Sequence, residues 1–224
     1  MGLKESGLRA SLRSVSTGVS AIPDSGLLHE WDARQLSSAS TFDDQVGTND
    51  LTAAGSPSLV SDGINGRQSV LTDGSEDGYD GIGHGYGSGG EYTIAVVVEP
   101  QGTVNCVFDN QDGSFNNGHA IRNGYQITHY NETSTDDPVL PNGAVIVVAS
   151  YDGSDVFIDV NGTTEIDGAS IPLNTNVSDL AIGKRVTDDE HSNILFGHGL
   201  AYNEFYDSNG RVEIYNALEN EWGF

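Results

Sequence analysis

The chain contains one cysteine, two lysines, one methionine and six prolines in 224 residues. A single Cys106 excludes any intramolecular disulfide, so the fold must be held by its core alone. Cys106 sits in Val104-Asn105-Cys106-Val107-Phe108, which reads as a buried strand thiol; no His or Asp lies close by in sequence to activate it. Long hydrophobic runs are also missing. No stretch reaches the length of a transmembrane helix, and Met1 to Pro23 shows no signal-peptide apolar region. Positive charge is scarce: nine Lys plus Arg stand against 33 Asp plus Glu, a formal net charge of −24. Such a body repels a phosphate backbone, which argues against a nucleic-acid partner. Self-repulsion of this size fades where molar salt shortens the screening length to about 3 Å, so acid excess with few lysines points to a saline habitat.

What the chain has in abundance is glycine, 29 residues, and not at random. Seven Asp-Gly and six Asn-Gly pairs occur, among them 73–74, 123–124, 152–153, 161–162 and 209–210. Asx-Gly supplies the positive φ angles of tight hairpin turns. Between the pairs lie short β-branched and apolar runs such as Tyr92–Val98 and Ala144–Ser150. This pattern predicts many short strands in one sandwich or jelly roll. Helix is expected only at the ends. Ile214, Leu218 and Trp222 share a helical face, with Asp207 or Ser208 as the cap and Gly223 as the stop, and this helix is expected to pack across the end of the sandwich. Residues 1–25 form a separate N-terminal arm ahead of a domain over 26–224. Leu8, Leu12 and Val15 fall at helical spacing there, and Lys4, Arg9 and Arg13 supply three of the nine basic residues. The arm is expected to anchor the body to a partner or a neighbouring subunit.

The hairpin 144–162, ending Val160-Asn161-Gly162, resembles the central strands of the laminin-G-like, concanavalin A-like jelly-roll family. Leu180-Ala181-Ile182-Gly183 and Phe196-Gly197-His198-Gly199-Leu200 through Tyr206 resemble its later strands, and Trp222-Gly223 its helix ending. In the front half, Leu28-His29-Glu30-Trp31-Asp32-Ala33 resembles the opening "W-D-A" strand. Asp43-Asp44-Gln45-Val46-Gly47 resembles its "D-x-S-G" loop, with Val46 in place of Ser. The resemblance spans about residues 26–224 and implies an all-β concanavalin A-like sandwich with a short C-terminal helix. Composition and the Met1 start are similar to virion structural proteins of tailed viruses of halophilic archaea. That likeness implies a capsid decoration, turret or fibre subunit at the virion surface, a homo-oligomer bound to other virion proteins through its arm and directed at host glycans or surface-layer protein. A secreted cellular carbohydrate-binding or adhesion module is the rival reading.

Catalytic patterns are thin. A glycosidase of this fold needs paired carboxylates on one strand face, and the jelly-roll glucanases carry E-x-D-x-E. Here Glu30-Trp31-Asp32 and Glu165-Ile166-Asp167 each lack the third acid, and chance E-x-D pairs are expected in so acidic a chain. There is no G-x-S-x-G, and the six histidines show no metal-ligand spacing. The expectation is a non-enzymatic protein that requires no cofactor. The acidic segment Asp109-Asn110-Gln111-Asp112-Gly113 is a candidate loop for Ca²⁺ or another cation, with Asp109 and Asp112 as donors. For sugar recognition the candidates are His84 and Tyr86 in the Gly-rich stretch 78–90, and Tyr130 beside His129 and Asn131.

Overall fold

In the computed structural model the described residues are 21–82, 90–111, 118–122, 126–129, 132–133, 140–170, 179–186 and 190–224. The arm residues Lys4, Leu8, Arg9, Leu12 and Arg13 lie outside them. The strands, in chain order, begin with β1 (Leu27–Asp32), β2 (Thr41–Phe42), β3 (Leu51–Ala54), β4 (Ser58–Val60), β5 (Ser69–Asp73) and β6 (Gly78–Ile82). There follow β7 (Tyr92–Pro100), β8 (Cys106–Gln111), β9 (Gly118–Arg122), β10 (Gln126–His129) and β11 (Glu132–Thr133). The last are β12 (Val145–Tyr151), β13 (Asp155–Val160), β14 (Thr163–Ser170), β15 (Asp179–Ile182) and β16 (Asn193–Tyr202), ahead of the helix α1 (Ser208–Trp222). They make two antiparallel sheets, as the alternation of strand and Asx-Gly turn predicts. The first sheet is ordered β14-β13-β12-β7-β16-β5-β4, with β1 also paired to β16; the second is β11-β10-β9-β8-β15-β6-β3-β2. This is a jelly-roll β-sandwich with one C-terminal helix.

Alternation along the central strands sets the layers. In β7, Ile94, Val96 and Val98 enter the core between the sheets, with Trp31, Phe108 and Phe196 among its other members. Ala95 and Val97 face the opposite way, into a second apolar cluster with Leu200, Ile214, Leu218 and Trp222. The helix therefore lies on the outer face of the first sheet and not across the end of the sandwich. The physical reason is in β7 and β12, which are buried on both sides and need a cover on each. Ile22 is 3% exposed and joins the same outer cluster, so residues just before position 25 pack against the body.

Local chemistry fixes the ends of these elements. The β13–β14 hairpin turns on Asn161 and Gly162, with φ of 48° and 74°, the two positive values that a two-residue turn needs. Asn161 is further pinned to β12: its N–H donates to the Ile146 carbonyl and its Oδ1 accepts from the Ile146 N–H, each at 2.9 Å. The pair Asn209-Gly210 behaves differently and lies in the first turn of α1. There the Asp207 carboxylate caps the helix by accepting from Gly210 N–H at 2.9 Å, which outweighs the turn preference of the dipeptide. Gly223 closes the helix with φ of 72°. Cys106 is buried in β8 as a structural thiol.

Because α1 contributes the cover of the outer face, truncating its buried side costs far more than truncating its exposed side. Leu218→Ala should lower the unfolding free energy by about 2–5 kcal/mol. Val212→Ala, at a position 42% exposed, should change it by no more than about 0.5 kcal/mol. Urea melts of the two variants read this directly; equal losses would mean that α1 does not seal the sheet.

Candidate functional site

In the second sheet β6, β8 and β10 all run the same way, since each pairs antiparallel with β15 or β9 between them. The chain therefore leaves this sheet at Ile82, Gln111 and His129 along one rim, and β15 starts at Asp179 on that rim. Four strand spacings separate β6 from β10, about 19 Å. The sequence candidates follow these strand ends directly: His84 and Tyr86 after Ile82, Asp112 after Gln111, and Tyr130 after His129. All four lie outside the described residues, so the structure brings their anchoring strands together without describing the side chains themselves.

The outward face of the same sheet is read from its register. Thr41 pairs with Thr52, Thr52 with Asp80, Asp80 with Ala181, and Ala181 with Asp109. Their strand neighbours Phe42, Leu51, Tyr79, Ile182 and Phe108 face the core. Small and acidic residues thus form one row across the face. Residues 183–186 fold back over part of it. Lys184 Nζ meets Asp80 at 3.0 Å, and Arg185 Nη1 meets Glu190 at 3.4 Å. Asp109 is 0% exposed, and its Oδ2 accepts from Val186 N–H at 2.9 Å. Asp109 and Asn110 lie within β8, which continues to Gln111. The carboxylate of Asp109 holds the covering segment to the sheet. Among the described residues no three His, Cys, Asp or Glu side chains gather as a metal site. Lys184 and Asp80 were not singled out from sequence; their pairing joins residues 104 apart and left no local signal.

The acidic pairs weighed for catalysis have separate fates. Glu30 and Asp32 share the outer face of β1, beneath the C-terminal turn of α1. Arg34 forks onto Asp32 through Nε and Nη2, both at 2.8 Å, and its Nη2 reaches Glu221 Oε2 at 2.6 Å. Burial opposes the charge on Asp32, but the Arg34 hydrogen bonds outweigh it and hold this carboxyl below its ordinary range. Glu30 Oε1 faces His198 Nε2 at 3.2 Å. Glu165 and Asp167 are exposed on β14, an edge strand. In the loop after β2, Asp44 is a structural hub. Its Oδ1 accepts from Glu30, Val46 and Gly47 amides at 3.1, 3.1 and 2.9 Å. Its Oδ2 accepts from Asn49 N–H at 3.0 Å and lies 2.6 Å from His29 Nδ1. Val46, standing where the resemblance expects Ser, supplies one of these bonds through its backbone amide.

No family model matches the chain. No curated protein matches it in sequence. Solved structures do. The chain is similar to domain 4 of AbnA, a GH43 extracellular arabinanase from Geobacillus stearothermophilus in complex with arabinotriose. That likeness has a TM-score of 0.69 and 15% identity, and covers 86% of this chain and 100% of that one. Trypanosoma rangeli sialidase in complex with sialic acid aligns at TM-score 0.64 and 13% identity, over 89% of this chain and 34% of the sialidase. The binding domain of Botulinum neurotoxin DC in complex with rat synaptotagmin II aligns at 0.64 and 12%, over 86% and 52%. The chain thus spans a whole domain of the arabinanase but about a third of the sialidase. At these identities the likeness establishes a shared β-sandwich fold. No described helix is long and apolar enough to cross a membrane.

Asp44 offers a direct test of the frame behind these residues. Burial opposes its charge, yet His29 and the amides of Gly47, Asn49 and Glu30 lower its pKa to about 2. A depressed carboxylate stabilises the fold above its unfolded pKa, and that stabilisation disappears as pH falls through the folded value. Unfolding free energy should therefore drop by roughly 2 kcal/mol between about pH 5 and pH 1 on this account. Asp44→Asn should be less stable at pH 7 and should lack this part of the acid slope. Urea melts at stepped pH measure both; an unchanged slope in the variant would refute the assignment.

Proposed function

We propose that this chain is a non-enzymatic, glycan-binding jelly roll displayed on a virion surface as a decoration, turret or fibre subunit. The observation that carries the glycan-binding part is the single rim on which β6, β8, β10 and β15 converge. Connections carrying His84, Tyr86, Asp112 and Tyr130 all depart from or lead to that rim. Residues on connections held by a rigid scaffold are the usual place for recognition. Two of the similar structures are complexes with a sugar, arabinotriose in one and sialic acid in the other, which favours a saccharide over other ligands. A cation at Asp112 would add to such a site and is not required by it. The absence of catalysis is supported by the acids themselves: Asp32 is committed to Arg34, Glu30 faces His198, and no third acid follows either E-x-D pair.

The virion placement rests on the contrast between the basic arm and the acidic body. In the described body Arg34, Lys184, Arg185 and Arg211 each pair with a carboxylate, while the arm holds three of the nine basic residues within thirteen positions. Lys4, Arg9 and Arg13, with Leu8 and Leu12, would anchor this protein to other virion proteins in a homo-oligomeric array, and the jelly roll would face outward to host glycans or surface-layer protein.

The test is a glycan array probed with the full chain in molar salt. It should capture a defined set of saccharides without releasing sugar from them. Tyr86→Ala or Tyr130→Ala should weaken capture about tenfold, equivalent to ~1.4 kcal/mol. Purified particles should hold the protein at symmetric stoichiometry, with residues 1–25 resisting protease only there. Sugar release abolished by loss of one acid would replace this reading with a glycosidase. Capture by the free chain without any particle association would replace it with a cellular lectin.

A further inference from the structure

A polar cluster under the C-terminal turn of α1 takes no part in the glycan-binding role. At its centre is His198 in β16, 0% exposed. From β1 it faces Glu30 and Asp32 and from α1 Glu221 and Trp222, while Arg34, in the short 3-10 turn after β1, holds Asp32 and Glu221 and lies over the Trp222 ring. Arg67 lies just beyond, against Gly223; a Cβ there would stand 3.2 Å from its Nη2.

The hydrogen bonds assign the state of the ring. Trp222 Nε1 donates to His198 Nδ1 at 3.2 Å. An indole N–H can only donate, so Nδ1 carries no proton and the imidazole is neutral. Its proton resides on Nε2 and is given to Glu30 Oε1 at 3.2 Å. Trp222 is meanwhile seated where β16 shifts register between Phe196 and His198. A Cβ on Gly197 would come within 2.7 Å of the indole, so the glycine forms the notch that receives it. Arg34 covers the ring at 5.1 Å and also holds Glu221. Glu221 Oε2 lies 3.8 Å from His198 Nδ1, the nearest carboxylate to the one unprotonated nitrogen.

We propose that His198 is a pH-operated latch on the end of α1. A proton taken from solvent at Nδ1 removes the acceptor of the Trp222 indole and places two N–H donors face to face. The new N–H turns to Glu221, which leaves Arg34 attached through its fork on Asp32. Trp222 then loses its polar anchor and loosens from the Gly197 notch. Histidine suits such a latch because it is the side chain whose unperturbed charge change falls between about pH 5 and 8.

The experiment is a ¹H–¹⁵N titration of the full chain from pH 8 to pH 5 at fixed salt. The chain has two indole N–H groups, and Trp31 donates to the Asn49 carbonyl at 2.9 Å, a non-titrating partner that serves as the internal reference. The Trp222 indole signal should move in one step while that of Trp31 stays in place, and at pH 8 the His198 nitrogens should report a neutral ring protonated at Nε2. In His198→Gln the Trp222 step should vanish. In Glu221→Gln, which keeps the histidine, the step should shift to lower pH because the receiving carboxylate is gone. A stationary Trp222 signal, a step that persists in His198→Gln, or a ring already doubly protonated at pH 8 would each overturn the latch. Should His198→Gln fail to fold, an unshifted midpoint in Glu221→Gln overturns it alone.

Discussion

The whole molecule depends on a sheet that is apolar on both faces. β7 and β12 alternate two sets of aliphatic side chains, one into the core between the sheets and one outward. A two-layer sandwich satisfies only the first set, so a third layer must cover the second. The 15-residue α1 spans about 22 Å along the sheet, enough to cover most of a nine-residue strand. Isolated, a helix of this length would be marginal. Here each large buried side chain of Ile214, Leu218 and Trp222 contributes roughly 1.5–3 kcal/mol of burial. Sheet and helix each supply what the other lacks.

That dependence explains which parts of the fold were legible in the sequence. Turns such as Asn161-Gly162 were readable because positive φ is a local demand answered by adjacent residues. The helix was readable from its apolar spacing and from Asp207 and Gly223 at its ends. Its position was misread as the end of the sandwich, although a signal for the correct place exists. Ile94–Val98 is continuously apolar rather than alternating, which marks a strand covered on both faces. Asn209-Gly210 shows the limit of dipeptide reasoning: the same pair that turns a hairpin elsewhere enters a helix once an Asp stands two residues ahead of it.

The candidate site was legible to a lesser degree, for a related reason. Asp109 reads as a loop residue from sequence because Asp112 and a glycine follow it, yet the strand continues through Asn110 to Gln111. Its carboxylate then serves Val186 N–H, a partner 77 residues away that no local pattern announces. Lys184 with Asp80 and His198 with Glu30 are equally remote in sequence. What local reasoning could place was strands and turns along the chain; the sheet pairing then brings Ile82, Gln111, His129 and Asp179 to one rim.

With 33 acidic residues, carboxylate motifs alone distinguish little, and the partner of each acid decides its role. Asp44 is held by backbone amides, Asp32 by Arg34, Asp109 by the Val186 amide, and Asp159 by Arg211 at 2.9 Å in a pair that is almost wholly buried. Each of these acids has at least one oxygen engaged by such a partner. They gather on the first sheet, around α1 and where segments fold back onto the second sheet. The rim of the second sheet stands apart from the helix and its anchors, so changes in the connections there need not disturb the layers that keep the fold. Separation of this kind lets one sandwich carry different recognition surfaces. On the proposed reading, specificity is left to the residues that follow the strand ends.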